Sequence, residues 1–337
     1  GFAMPELRLN LITREWVIIA TERAHRPDEF RRERSQHAAL AVSHECPFCP
    51  GQEARTPDET YRDGNPWRVR AFPNKFSALS QQGEPRRLVT GLKRTVEGVG
   101  RHEVIVETPR HDGHLAFLSD AEFGPILSAY RHRFLDLYAD PRVRHVILFK
   151  NHGEEAGTSL AHSHAQIVGT PVVPLQVRDR LVEYIHYLDS SGECLMCRII
   201  ADERADGTRI VAENDRIVAF VPYAALSPFH LWIFPKDHHS CFGGITDEAL
   251  ADLGRVLGKI LRTLYLGLGD PPYNLVLRSL GPEEAGVDYF HWYIAVVPRV
   301  AKAAGFELGS GMYINTALPE QSAAFLRGVR DTSPRGA

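Results

Sequence analysis

Short apolar runs separated by turn residues dominate the chain, and they recur twice in the same order. In the first half, Trp67 to Phe72 and Glu103 to Glu107 have the β-branched and aromatic content of strands. The second of these runs into Thr108-Pro109-Arg110-His111. In the second half, Arg209 to Ala212, Arg216 to Val221 and Leu231 to Phe234 read the same way and end in Pro235-Lys236-Asp237-His238. Each Pro-to-His stretch precedes an acidic helix start, Ser119-Asp120-Ala121-Glu122 or Thr246-Asp247-Glu248-Ala249. Apolar positions then fall mostly at three- and four-residue spacing: Ile126, Leu127, Tyr130 and Phe134 in one half, Leu250, Leu253, Val256, Leu257 and Ile260 in the other. They predict one amphipathic helix per half. One more strand follows each helix, His145 to Phe149 and Tyr273 to Leu277. A glycine-bearing turn then leads to His162-Ser163-His164 or His291-Trp292-Tyr293. The repeat predicts an internally duplicated α+β chain, divided at 4–175 and 176–330.

Composition narrows the function classes. The chain has 337 residues, of which 44% are hydrophobic, enough for a substantial core. With 39 Lys and Arg against 42 Asp and Glu, the formal charge is −3, so no basic excess points to nucleic acid or an anionic membrane. No apolar run approaches the roughly 18 residues of a spanning helix. Gly1-Phe2-Ala3 ahead of Met4 reads as a cloning remnant, no charged-then-apolar leader opens the chain, and a cytoplasmic location is expected.

Five Cys and sixteen His change the picture more than the charge does. Cys46-Pro-Phe-Cys49 and Cys194-Leu-Met-Cys197 each put two thiols within reach of one ion, and tetrahedral Zn²⁺ needs two further ligands, most often His. His111 and His162 supply them in the first half, and His238 and His291 stand at the same places in the second. His230, His239 and His186 compete for the second site; His238 follows Pro235 at nearly the offset of His111 from Pro109 and is preferred. Sites closed by four protein ligands are structural and cannot activate water. The bland reading is two pairs of buried thiols beside ordinary histidines, and twofold repetition weakens it.

The stretch from Asn151 to Gln166 carries the candidate chemistry. In an extended segment His162, His164 and Gln166 share a face. With His162 on a metal, His164 is free to act as a nucleophile toward phosphorus. Gly157, Thr158 and Ser159 leave room for phosphate oxygens, and Gln166 offers a neutral amide donor. Tyr293 stands where His164 stands in the first half, so one catalytic site per chain is expected, with the second half as scaffold.

These residues resemble the active-site motif of the galactose-1-phosphate uridylyltransferase family, a branch of the histidine triad superfamily. The resemblance extends to Leu9 to Ala20, read as an opening strand, to Arg23-Ala24-His25-Arg26-Pro27, to Phe72-Pro73-Asn74-Lys75-Phe76, to His291 to Arg299, and to Gly305 to Tyr313. It implies two histidine-triad-like units whose antiparallel sheets merge into one extended sheet with flanking helices. It also implies two structural zinc ions, a homodimer, and ping-pong nucleotidyl transfer. His164 attacks the α-phosphorus of a nucleotide sugar, and Gln166, Ser159 and Asn151 contact phosphate or sugar. Arg23 and Arg26 help neutralise the diphosphate, and Phe72 and Asn74 face the nucleotide. Gln166, where hydrolytic relatives carry a third His, favours a transferase. Exchange of UMP between glucose 1-phosphate and galactose 1-phosphate is the leading expectation. Ser163 between the histidines and the Cys194/Cys197 pair are similar to the ADP-glucose phosphorylase branch, which keeps adenylyl transfer to inorganic phosphate open. A nucleotide-binding protein with a structural His motif is the reading from another class.

Overall fold

The computed structural model describes residues 4–20, 26–32 and 42–330. Among these residues the strands are β1 (Glu6–Leu9), β2 (Trp16–Ile19), β3 (Tyr61–Asp63), β4 (Val69–Pro73), β5 (Arg87–Thr90), β6 (Lys93–Val96), β7 (Arg101–Val106), β8 (His145–His152), β9 (His164–Thr170), β10 (Ile210–Glu213), β11 (Ile217–Phe220), β12 (Leu231–Pro235), β13 (Tyr273–Arg278), β14 (Tyr293–Pro298) and β15 (Tyr313–Asn315). The helices are α1 (Asp120–Tyr138), α2 (Leu175–Ser191), α3 (Leu195–Asp206), α4 (Asp247–Leu268), α5 (Gly305–Ser310) and α6 (Pro319–Gly328).

Ten strands form one sheet in the order β10-β11-β12-β14-β13-β8-β9-β7-β4-β3. The order is palindromic about the antiparallel pair β8 and β13, with strands of residues 61–170 on one side and of 210–298 on the other. This is the duplicated α+β architecture expected from the repeat. The two predicted helices are α1 and α4, and they pack against each other. Ser119 N–H and Oγ–H both donate to the Glu122 carboxylate, at 2.8 and 2.7 Å, to open α1, and the Thr246 hydroxyl accepts from Ala249 N–H at 3.2 Å to open α4. Leu250, Leu253, Val256, Leu257, Ile260, Leu261 and Leu264 all lie on the buried stripe of α4, and Phe123, Ile126, Leu127, Tyr130 and Phe134 on that of α1. Their side chains merge with the sheet face into one continuous core.

The opening segment departs from the single strand expected of it. Arg14 adopts a positive φ of 66° inside a tight hairpin, so Leu9 to Ala20 contributes the end of β1 and all of β2. The hairpin lies on the second half: β2 pairs in parallel with β15, and Asn10 Nδ2 donates to Ala224 O at 2.9 Å. No helix among the described residues is long and apolar enough to cross a membrane.

Candidate active site and metal centres

The Cys46-to-Cys49 turn meets the end of β7 and the approach to β9. Cys46 Sγ lies 3.6 Å from His162 Nδ1, and Cys49 Sγ lies 3.5 Å from both His162 Nδ1 and His111 Nδ1. All four donor atoms fall within 4.8 Å of one another. Bond lengths of about 2.3 Å to sulfur and 2.0–2.1 Å to nitrogen put the corners of a tetrahedral zinc site roughly 3.3–3.8 Å apart, so this group can hold such an ion without rearrangement. His162 Nε2 donates to Thr108 O at 2.7 Å, which leaves Nδ1 unprotonated and facing the thiols, the tautomer a metal ligand needs. Arg70, fully buried, donates to Pro47 O at 3.1 Å and braces the cysteine turn from below.

The second cluster gathers Cys194, Cys197 and His238 within 4.8 Å. Cys197 Sγ is 3.2 Å from His238 Nδ1, whose Nε2 donates to Val287 O at 2.9 Å. His291 Nδ1 is 3.4 Å from Cys197 Sγ, although it stands outside the group whose donors are all mutually close. Of the competing histidines, His230 lies elsewhere, in a cavity of the second half. A third grouping, His114, His152 and Asp270, was not anticipated. His114 Nδ1 accepts from Ala116 N–H, so its Nε2 carries the proton and donates to Asp270 at 2.9 Å. Since that nitrogen is protonated, the trio is a hydrogen-bonded clasp between the halves, not a metal site.

His162 itself precedes β9, so only His164 and Gln166 share the strand face. His164 is 7% exposed, and its Nδ1 donates to His162 O at 2.8 Å. The lone pair is therefore on Nε2. Burial holds the imidazole below its ordinary value and neutral near pH 7. Phe48, on the cysteine turn, packs edge-on against both His162 and His164. The Cys/His cluster and the His164 imidazole thus share one wall.

Beneath His164 lies a buried polar network that motif reasoning missed. Lys150 Nζ donates to Glu107 at 2.6 Å, Ser163 Oγ at 3.0 Å and His164 O at 3.2 Å. Ser163 and Tyr130 also donate to Glu107. Burial alone would raise the Glu107 carboxyl, yet Lys150, Ser163 and Tyr130 together hold it below the usual range. The signal was a lone lysine inside the apolar run of β8.

Gln166 is also oriented. His102 Nδ1 accepts from Ala78 N–H at 3.2 Å, so its Nε2–H donates to Gln166 Oε1 at 2.8 Å. Asn74 Nδ2 donates to the same oxygen at 3.3 Å while its Oδ1 accepts from Phe76 N–H. With the oxygen engaged, the Gln166 NH₂ is left to donate to a ligand. His102, at an inward position of β7, is a positioning residue that motif reasoning also missed.

Asn151 stands at the end of β8, its Oδ1 accepting from Asn274 Nδ2 at 2.8 Å. Gly157 follows with φ of 96°, a left-handed turn that side chains rarely adopt, and leads to the exposed Ser159. Phe72 is 2% exposed and packed among Phe48, Trp67 and Val104, so its ring belongs to the core under the site. Phe76 is 85% exposed. Arg26 is exposed beside the turn Pro27–Phe30, and Arg23 lies outside the described residues.

A neutral imidazole with a free Nε2, an oriented amide donor and a small-residue loop stand together at the head of β9. Residues 2–174 match the family model described as galactose-1-phosphate uridyl transferase, N-terminal domain. ADP-glucose phosphorylase of Arabidopsis thaliana is 36% identical over 332 residues, covering 96% of this chain and 93% of the relative. Galactose-1-phosphate uridylyltransferase of Thermotoga maritima is 27% identical over 334 residues, covering 96% and 98%. A crystal structure of the Arabidopsis thaliana phosphorylase with bound ADP-glucose superposes with a TM-score of 0.81 at 32% identity, covering 97% of this chain and all of that one. On the matched N-terminal region and the full-length likeness alike, the chain belongs to the galactose-1-phosphate uridyl transferase family.

Proposed function

We propose that the chain is an enzyme of nucleotidyl transfer working through a nucleotidyl-His164 intermediate. The observation that carries this reading is the His164 Nδ1–H donated to His162 O, which leaves Nε2 as the attacking lone pair. In the first half-reaction Nε2 bonds to the α-phosphorus of a nucleotide sugar. The bond from that phosphorus to the bridging oxygen breaks, and sugar 1-phosphate leaves with the electron pair. In the second, an oxygen of a phosphate acceptor attacks the same phosphorus, and the P–N electrons return to Nε2. The Gln166 amide donates to a non-bridging oxygen throughout, and Asn151 and Ser159 contact phosphate or sugar. Arg26, and Arg23 outside the described residues, help neutralise the diphosphate, and Asn74 meets the nucleotide. Zinc at the Cys46, Cys49, His111, His162 cluster and at the Cys194, Cys197, His238, His291 cluster supplies loop-fixing ligation, not chemistry.

Identity ranks the donors. Sequence motifs alone put uridylyl transfer first; 36% identity to a phosphorylase, against 27% to a uridylyltransferase, moves ADP-glucose with inorganic phosphate ahead. Ser163 and the Cys194/Cys197 pair point the same way. UDP-glucose with galactose 1-phosphate is the second reading, supported by the family match. A homodimer and the division at 4–175 and 176–330 remain part of the proposal. Product analysis separates the two: ADP and glucose 1-phosphate from ADP-glucose plus phosphate support the first. UDP-galactose from UDP-glucose plus galactose 1-phosphate, with ADP-glucose inert, overturns it in favour of the second.

A further inference from the structure

The duplication places a cavity of about 250 Å³ at the position in the second half that His164 occupies in the first. The register shows the correspondence. Val104 pairs with Gln166 in the first half and Trp232 with Ala295 in the second, so His230 takes the place of His102, and Tyr293 that of His164. Phe149 faces Gln166 as Val276 faces Ala295, so Arg278, two residues on, takes the place of Asn151. His230, Arg278, Tyr293 and Ala295 all line the cavity.

Its walls are built for a ligand. His230 is 6% exposed, yet neither ring nitrogen has a hydrogen-bond partner among the described residues. Buried atoms of Ser227, Thr13 and Glu15, and the Arg180 Nε, are likewise unpartnered. Leaving such groups unsatisfied is costly, and natural sites tolerate it where something else supplies the bonds. Arg180, Arg278, Arg299 and Lys302 line the cavity against only two carboxylates, Glu15 and Glu307. Arg180 is 3.6 Å from Glu15, whereas the Arg278 side chain makes no ion pair or hydrogen bond among the described residues. Trp232, Tyr293 and Tyr313 supply apolar faces. The volume exceeds that of a bare anion and suits a small ring carrying one.

We infer that this cavity is a non-catalytic binding site for a sugar phosphate, with Arg278 and His230 on the phosphate group. Tyr293 and Ala295 in place of His164 and Gln166 remove the nucleophile and the amide donor, so the ligand is held and not transferred. The inference stands apart from which nucleotide the first half uses.

The test is calorimetric titration of the metal-loaded, full-length protein with glucose 6-phosphate, and in parallel with inorganic phosphate. Trp232 fluorescence gives a second readout. Wild type is expected to bind glucose 6-phosphate, Arg278→Met to weaken it at least about tenfold by loss of a charge-assisted contact, and Ser159→Ala in the first half to leave it unchanged. Retained metal content and retained nucleotidyl-adduct formation show that Arg278→Met is folded; if it is not, Arg299→Ala takes its place with the same expectation. Phosphate binding as tight as the sugar phosphate identifies the anion as the determinant, and weaker binding adds the sugar ring. No binding of either probe overturns the inference. So does affinity unmoved by the cavity variant, or abolished by Ser159→Ala instead.

Discussion

Replacing His102 by Ala tests whether Gln166 works through a fixed orientation. In the structure, the Gln166 Oε1 is held by His102 at 2.8 Å and by Asn74 at 3.3 Å. Removing His102 leaves only the longer bond. Losing one such hydrogen bond costs about 1 kcal/mol, or roughly fivefold in rate, if the amide stays in place. If the amide turns, its oxygen faces a phosphate oxygen, and the loss approaches the roughly 10²- to 10³-fold expected of Gln166→Ala. His102→Ala is therefore expected to slow nucleotidyl-enzyme formation by between about fivefold and a hundredfold, with metal content unchanged and melting only modestly lowered. The decisive assay is a double-mutant cycle on the single-turnover rate. Once Gln166 is Ala, removing His102 should cost almost nothing further. A wild-type rate for His102→Ala, or full multiplication of its defect onto Gln166→Ala, would refute the orientation argument.

Three other outcomes follow from the same geometry. Lys150→Met strands the buried Glu107 and should lower unfolding stability by about 3–5 kcal/mol in denaturant titrations, whereas a change near zero would mean the network is not buried as described. Asp270→Asn weakens the clasp with His114 and His152; the structure holds the Asp270 carboxyl well below its ordinary value, its burial being outweighed by the two histidines. A depressed carboxylate stabilises above its unfolded value of about 3.9 and loses that effect as pH falls, so the gap between wild type and variant should be full at pH 6 and shrink below about pH 4; a gap that widens on acidification contradicts it. Metal analysis should find two ions per chain, one lost in His162→Ala and the other in Cys197→Ala, each with a fall in melting temperature, and chelation should remove both; a variant that keeps two ions would exclude its residue as a ligand.

Much of this was legible from residue order, for physical reasons. The α1 and α4 stripes and the strands between them follow local periodicity, and the C-x-x-C pairs reach their histidines because both halves repeat one arrangement. What escaped were pairings between distant segments. Nothing local in β2 announces β15 as its partner, nearly 300 residues on. Nothing near Gln166 names His102, which meets it only because β7 and β9 are adjacent. Lys150, the exception, interrupts an apolar strand and could have been flagged for a buried partner. The resemblance puts Phe72 toward the nucleotide, but a large apolar side chain on a strand paired on both sides is drawn into the core. His230 competes as a metal ligand because histidines cluster there in sequence; its place just before β12 puts it instead on the cavity of the second half.

The most direct measurement is the intact mass of the metal-loaded protein after brief exposure to ADP-glucose without acceptor, and separately to UDP-glucose, for wild type and His164→Gly. A mass gain of one nucleotidyl group, the nucleoside monophosphate less water, in wild type, absent in His164→Gly and discharged by the phosphate acceptor, is the predicted result, with ADP-glucose the more effective donor. An adduct of the same mass in His164→Gly would place the covalent bond on another residue and contradict the central claim. So would turnover in wild type with no adduct at any time.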